Sequence, residues 1–487
     1  MRSRLSALPA TAAPMPRSAI AGAMPSRIDE APAHRRQRTV CLAALWGFLA
    51  VVLIGTSPFE EWAFSGAIGA GDLLNQLIYL VLFALLLFGT GRLSRRGLLP
   101  IPLGLCLVLG YCAISILWAV DPLISARRLA LAGLTVWICF RLTLALGPER
   151  LLRTLRIALI GLLVINFLVV FLTPYGVHPE VFGDESLVAG NWRGIIPHKN
   201  IAGAACAFTI LLMVFDNRQF SRLVSAVVIV GALVFLYYSQ AKTSQGILVL
   251  ALALGWLARG YSPNFRGIFA LLLVILVGLG IQLLSVNSAL VRDMLNDPAM
   301  LTGRTAIWPL LLEYIAERPF TGAGFGSFWQ IGDASPIWWL TSGWVARFAA
   351  HGHNGYLDLA ATIGLPGMAL AVAALLLWPG LRLMLSFGIG AKRRALLLAL
   401  LTFCAGHNLT ESSLLNGAAV VQVFLLFTIA IIYFHSDASE GAHQRIAARA
   451  RRILGLGRTR GVSPPAAARV GTQTSRVVRQ QPVSRDA

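Results

Sequence analysis

Apolar runs dominate the chain. Runs long enough to cross a bilayer, about 17–25 residues each, lie near 40–56, 73–90, 99–118, 128–146, 151–173, 200–215, 222–239, 246–259, 267–285, 355–378, 394–411 and 416–434. They predict about twelve transmembrane helices. Two of them, 200–215 and 246–259, are short and either borrow flanking residues or run re-entrantly. One long stretch, Val286 to Pro366, breaks the pattern with polar, aromatic and glycine-rich residues. It holds Arg304 in GRTAIW, a glycine cluster in ERPFTGAGFGSFW, five tryptophans, and then HGHNGYLDLAATIGLPG.

The ends differ again. Residues 1–38, rich in Ala, Pro, Ser and Arg without apolar periodicity, are expected to be a disordered tail. They are not a cleavable signal peptide, because the first apolar run comes late and more spans follow. Residues 435–487 form a second basic tail, also expected to be disordered. The domain order that follows is 1–38 cytoplasmic tail, 39–285 spans one to nine, 286–354 large loop, 355–434 spans ten to twelve, and 435–487 cytoplasmic tail.

The turns set the orientation. The cluster Arg35, Arg36 and Arg38 places the N-terminus in the cytoplasm. The turns GRLSRRGL, GPERLLR, DNRQFSR, RGYSPNFR and the segment ending AKRR then lie inside. They carry about 13 Lys and Arg in about 46 residues, against about 9 in about 133 on the other side. SARR at 125–128 is the one basic turn left outside. The 286–354 loop is thereby expected on the extracytoplasmic face.

Composition agrees with this picture. Of 487 residues, 57% are hydrophobic and 13% charged, with a mean hydropathy of +0.72. A soluble protein of this length cannot bury so much apolar surface, so lipid is the solvent. The net charge of +20 resides mostly in turns and tails, which reads as topology, not as a nucleic-acid footprint. The six cysteines lie in or beside apolar runs with no CxxC pair, so neither a disulfide framework nor a zinc site is indicated.

The predicted outer face also carries Arg127, Arg193, Lys199, Lys242 and Arg304, although insertion bias disfavours cations there. One explanation is pairing with lipid phosphates or with Glu60, Glu61, Asp184 and Glu185. The other is a shared anionic ligand, for which a diphosphate is the obvious choice at a membrane surface.

GRTAIWPLLLEYIAERPFTGAGFGSFW followed by HGHNGYLDLAATIGLPG resembles the signature region of the O-antigen ligase/polymerase superfamily. That superfamily includes O-antigen ligases, Wzy-type polymerases and exopolysaccharide-production polymerases. RGIIPHKNIAG and LWAVDPLISARR resemble upstream elements of the exopolysaccharide branch, so the similarity runs in order from about Ser115 to Glu411. The fold implied is an all-α polytopic integral membrane protein with a GT-C-like architecture and a large extracytoplasmic loop between spans nine and ten. The localisation implied is the bacterial inner membrane, with both termini cytoplasmic and the active site on the periplasmic face.

The resemblance also implies a glycosyl transfer, without metal or other cofactor, from an undecaprenyl-diphosphate-linked glycan to an acceptor hydroxyl. The acceptor is another glycan or lipid A–core, and membrane lipid, a chain-length regulator or a flippase are further partners. No DxD motif is present; fixed cations can replace a metal on the departing diphosphate. The family's functional arginine falls on Arg304, which follows Gly303 near the expected start of a loop helix. Arg193, Lys199 and Lys242 are candidate partners on the diphosphate. The family's essential histidine falls on His353, a general base for the acceptor hydroxyl or, as imidazolium, a donor to the diphosphate. His351 competes for the role, and Asn354 and Glu411 are candidate supporting residues.

Plainer roles stand beside these. His353 can hydrogen-bond the loop to a helix end, and Asn354 suits a helix N-cap. GAGFG suits a tight turn better than a nucleotide loop. Trp308, Trp329, Trp338, Trp339 and Trp344 suit sugar stacking or an interfacial belt equally. His407 and Glu411 near a span end suit function or helix–helix hydrogen bonding. Ile307, Leu311, Tyr314 and Ile315 predict an amphipathic loop helix lying on the membrane, with Pro309 in its first turns. Three functions compete: a polymerase of lipid-linked repeat units, favoured by the HKN element; a ligase onto lipid A–core; and a glycolipid transporter, disfavoured by the absence of a two-fold internal repeat.

Overall fold

The computed structural model describes residues 32–56, 73–89, 99–179, 188–217, 219–268, 282, 304, 306–342, 345–346 and 349–435. Most of the expected ninth span, residues 286–303, Trp344, the acidic residues Glu60, Glu61, Asp184 and Glu185, and most of both tails lie outside them. Among the described residues the regular structure is helical, apart from an isolated bridge between Val177 and Trp192. The helices are α1 (Pro32–Ile54), α2 (Leu73–Phe88), α3 (Leu103–Ser115), α4 (Pro122–Leu172), α5 (Lys199–Phe215), α6 (Arg222–Tyr238), α7 (Lys242–Gly260), α8 (Trp308–Glu317), α9 (Gly355–Val372), α10 (Trp378–Leu385), α11 (Ala391–His407) and α12 (Val420–His435).

Arg35–Ile54, Pro122–Leu172 and Gly355–Leu385 are long and apolar enough to cross a membrane, and α2, α3, α5, α6 and α12 are shorter apolar helices. This is the build of a polytopic membrane protein. Aromatic packing joins α5, α11 and α12: Phe208 stacks on Phe424 at 4.1 Å and meets Phe403 edge-on at 5.0 Å. Helices α7 and α11 pack closely along each other. Gly255 permits that approach, since a Cβ there would come within 2.4 Å of Phe215 and 3.0 Å of Ala399. Small residues at such crossings are the usual route to close packing in lipid.

Several boundaries differ from expectation for local reasons. Helix α1 begins at Pro32, so residues 32–38, assigned to a disordered tail, are helical. Proline suits the first helical position, and Ala, Arg and Gln favour the turns that follow. Helix α4 begins at Pro122, not 128, because Asp121 caps it by accepting the Ile124 N–H at 2.9 Å. The supposed turn SARR is therefore helical. Arg128 from it donates to the carbonyls of Gly326, Trp329 (2.8 Å) and Gln330 (3.2 Å), which accounts for a cation there. The expected spans at 128–146 and 151–173 meet without a loop at Gly147, whose φ of 74° breaks the helix ahead of Pro148. The short run 246–259 is part of a 19-residue helix.

The bundle has two polar ends. At one, Arg156 pairs with Asp216 (3.1 Å), and Arg393 reaches Asp216 (3.8 Å) and Glu149. At the other, Asn200, Arg304, His353 and Glu411 meet. Helix α5 starts at the second cluster and ends beside the first, whereas α11 starts beside Arg393 and ends just before Glu411.

Part of the large loop folds as a second small core over the second end. The side chains of Ile307, Leu311, Tyr314 and Ile315 pack with Ala323, Phe328, Trp329, Val345, Ala360 and Ala361. The apolar face of α8 is thus covered by protein, a correction to the expectation that it lies on the membrane. Pro309 does sit in the first turn. The glycine cluster is a tight turn, with φ positive at Gly322, Gly324 and Gly326. It also repairs a broken helix. Gly364 has a φ of 70° inside α9, and the Leu365 N–H donates to the Pro319 carbonyl (2.8 Å) while Ala323 donates to Ala361 (2.9 Å). Backbone groups freed inside a membrane helix need such partners.

Candidate functional site

His353 stands one residue before the N-cap of α9. Asn354 is that cap, its side chain accepting from Tyr356 (3.0 Å) and Leu357 (3.1 Å). The HGH turn is pinned at Gly352. Its N–H donates to both Asp358 carboxylate oxygens at 3.0 Å, its carbonyl accepts the Trp308 indole N–H at 3.0 Å, and Trp329 donates to Asp358 at 2.8 Å. Trp308 and Trp329 therefore act as pegs between the loop and α9. Trp338 and Trp339 are the more exposed, at 38% and 66%.

The turn leaves no space at Gly352, where a Cβ would approach Leu311 to 2.4 Å and Asp358 to 2.6 Å. Gly352→Ala is expected to lower stability by about 1–3 kcal/mol through overpacking, read as a lower melting temperature of the purified protein. His353 itself has a φ of 49°, a left-handed conformation that histidine tolerates better than most residues.

Glu411 is the hub. Its side chain is 11% exposed, and it lies in the short loop after α11. That loop is bonded to the start of α9: Gly355 donates to the carbonyls of Asn408 (2.9 Å) and Glu411 (3.0 Å), and Asn354 N–H donates to Ser412 Oγ (3.0 Å). One carboxylate oxygen, Oε1, accepts from Arg304 and from Asn200 Nδ2 (2.6 Å). The other, Oε2, lies 3.4 Å from His353 Nδ1. Burial pushes the Glu411 carboxyl up, but the His353 contact, Arg304 and His407 outweigh it and hold the group well below the usual carboxylate range.

More histidines surround this hub. His198 caps α5 through its Nδ1, which accepts from Asn200 N–H (3.2 Å), and His178 Nε2 accepts from Lys199 N–H (3.2 Å). His351 lies against His353, ring centres 4.1 Å apart, and accepts the His353 N–H. Burial first, then neighbouring cationic groups, lower His198 to about 4 and His351 and His178 to about 3. These imidazoles stay neutral in the folded protein while an unfolded histidine titrates near 6.5. The unfolded state therefore binds more protons below that value. Melting temperature is expected to fall as pH drops from about 6.5 towards 4, and a flat profile over that window would contradict the burial of these rings.

The candidates separate accordingly. Arg304, His351, His353, Asn354 and Glu411 come together, and Lys199 lies within electrostatic reach of both Arg304 and Lys242. Arg193 does not join them. It is 5% exposed, donates to the Tyr175 carbonyl (2.8 Å) and lies over the Tyr175 ring at 4.1 Å, a fastening role at odds with the expected diphosphate contact. His198 and Asn200 are site residues that sequence reasoning passed over; the signal was their place just before and inside the start of a helix in PHKN. His351, His353 and Glu411 bring ligand atoms within 4.8 Å of one another, as a metal site would. The guanidinium of Arg304 already occupies the Glu411 oxygen, and a second cation there would meet like-charge repulsion.

A family model described as O-antigen ligase matches residues 227–372. No curated protein matches the chain. The matched stretch contains Lys242, Arg304, His351 and His353, while Asn200 and Glu411 reach the same site from outside it. Residues 227–372 are thus similar to the O-antigen ligase family, and the match supports the place of the chain in the O-antigen ligase/polymerase superfamily.

Proposed function

We propose that this protein is a metal-independent membrane glycosyltransferase of about twelve spans that polymerises undecaprenyl-diphosphate-linked repeat units on the periplasmic face of the inner membrane. One observation carries the reading: a buried carboxylate is held between Arg304 and Asn200 on one oxygen and His353 on the other. A pocket that holds one anion between a guanidinium and an imidazole suits the charge that grows on a departing diphosphate. Arg304, with Lys199 and Lys242 nearby, offers fixed donors to the phosphates.

His353 takes the proton of the acceptor hydroxyl as that oxygen bonds the anomeric carbon. The bond from that carbon to the diphosphate oxygen breaks, and its electron pair leaves with the lipid diphosphate. Glu411 stabilises the imidazolium that forms, as a carboxylate behind a histidine does in hydrolase triads. His351, neutral and packed on His353, orients the ring.

A ligase that moves finished glycan onto lipid A–core would use the same groups, and the description of the matching family favours that second reading. The deciding experiment measures the size and lipid attachment of surface glycan in a deletion strain, with and without the native gene. Single repeat units stranded on the carrier, with polymer restored by the native protein, establish the polymerase. Full-length polymer on the carrier with bare lipid A–core establishes the ligase. A deletion that changes neither defeats both.

A further inference from the structure

The last turn of α11 carries a buried polar group that the proposed reaction does not use. His407 is 4% exposed, and neither of its ring nitrogens has a hydrogen-bond partner. Its ring rests against Phe403, with 5.5 Å between centres. An imidazole always presents at least one N–H. A buried donor without an acceptor is costly, so its presence in a folded protein calls for a reason. Hydrogen bonding to another helix, a role the sequence leaves open to His407, is not that reason, because both nitrogens are unpaired.

The chain brings this ring to Glu411. The Glu411 N–H donates to the His407 carbonyl at 3.0 Å, so helical spacing runs on for one more turn past α11. Residues four apart in such a turn share one face, with Cβ atoms about 5–6 Å apart. His407 is also within electrostatic reach of both Glu411 and Arg304. It stands on the buried side of the carboxylate, whereas His353, whose side chain is 30% exposed, stands on the open side.

At rest, Glu411 Oε1 has two donors, Arg304 and Asn200 Nδ2 (2.6 Å). A diphosphate on Arg304 takes one of them away and brings like charge beside the carboxylate. An oxygen that loses a charged donor in a site only 11% exposed needs another. His407 holds a buried N–H that no other group uses.

We propose that His407 is a positioning residue for the Glu411 carboxylate: when a diphosphate takes Arg304, Oε1 turns to the His407 N–H while Oε2 stays beside His353. The inference rests on the reading of Arg304 as a diphosphate ligand. The exchange moves no proton. It frees the carboxylate from a cation and leaves it next to the imidazole whose positive charge it has to stabilise.

The test compares the native protein with His407→Phe and His407→Gln, each full length and purified in detergent. It reads the dissociation constant for inorganic diphosphate and a thermal melt without ligand. Phenylalanine keeps a ring against Phe403 and removes both nitrogens, whereas glutamine keeps an N–H donor. A hydrogen bond to a charged group is worth a factor of about ten or more, so His407→Phe is expected to bind diphosphate about tenfold more weakly. His407→Gln is expected to bind it nearly as the native protein does. Without ligand, His407→Phe is expected to melt at or above the native temperature, because buried polar atoms without partners are gone. Affinity decides: native affinity in His407→Phe overturns the proposal whatever the melt, and so does a glutamine variant as weak as the phenylalanine one. Should His407→Phe not fold, the smaller His407→Leu takes its place; if neither folds, the ring is a structural part of the helix end and the proposal falls. Arg304→Gln separates the two levels. If it binds diphosphate as tightly as the native protein, or if the native protein binds none, the reading of Arg304 fails and the inference with it. Lost affinity in Arg304→Gln beside native affinity in His407→Phe defeats the inference alone.

Discussion

His353→Asn lowers the rate of glycan transfer by about 100- to 10,000-fold and leaves the melting temperature close to that of the native protein. Asparagine is the informative replacement. The backbone at 353 has a φ of 49°, and asparagine accepts that left-handed conformation where alanine would add strain. The imidazole is 30% exposed, and its Nδ1, though 3.4 Å from Glu411, lacks an aligned hydrogen bond. Little packing depends on the ring, so a loss of stability should be small. Its chemistry is another matter: the ring combines partial exposure with contact to the Glu411 carboxylate, and an imidazole is suited to take a hydroxyl proton. Lipid-linked substrate and acceptor incubated with purified protein, product resolved by mass, give the rate; a thermal melt gives the stability. A variant that transfers at the native rate removes His353 from the reaction, and one that melts early makes the residue a structural fastener instead.

How legible the site was depends on how far apart its members lie along the chain. Arg304 and His353 sit in ordered motifs, and the motifs alone single them out as candidates. Asn200 and Glu411 are 211 residues apart, and their pairing is created by α5 starting where α11 ends. A single sequence holds no record of that contact. Arg193 is placed apart from the other candidates. Its sign and its predicted side of the membrane matched a phosphate ligand, but Tyr175 supplies both a carbonyl and an aromatic face, and local partners overrule charge counting. The helices were read from apolar runs because length and hydropathy are local properties. The amphipathic stripe of α8 is legible as an apolar face, expected to lie on the membrane. Its partner was misplaced, because an apolar stripe looks the same whether lipid or Phe328 and Trp329 cover it.

Glu411→Gln separates ligand binding from stability more sharply than any other change at the site. Glutamine can still accept the Asn200 amide on its oxygen, but it leaves the buried Arg304 without a counter-charge. Breaking a buried pair by removing one partner costs about 3–5 kcal/mol, so the unliganded variant is expected to melt well below the native protein. A diphosphate would restore what the carboxylate supplied. In the native protein the same ligand must first displace Glu411 from Arg304, so part of its binding free energy is lost to that exchange. Adding inorganic diphosphate is therefore expected to raise the melting temperature of the variant by more than it raises that of the native protein, because ligand stabilisation grows with affinity for the folded state. Transfer should respond in two directions, with a lower KM for the lipid-linked donor and a lower kcat because the His353 imidazolium loses its carboxylate. A purely structural carboxylate would lower stability in both conditions alike and leave the ratio of ligand shifts unchanged. Equal shifts in the two proteins would mean that Arg304 serves Glu411 alone and that the diphosphate binds elsewhere.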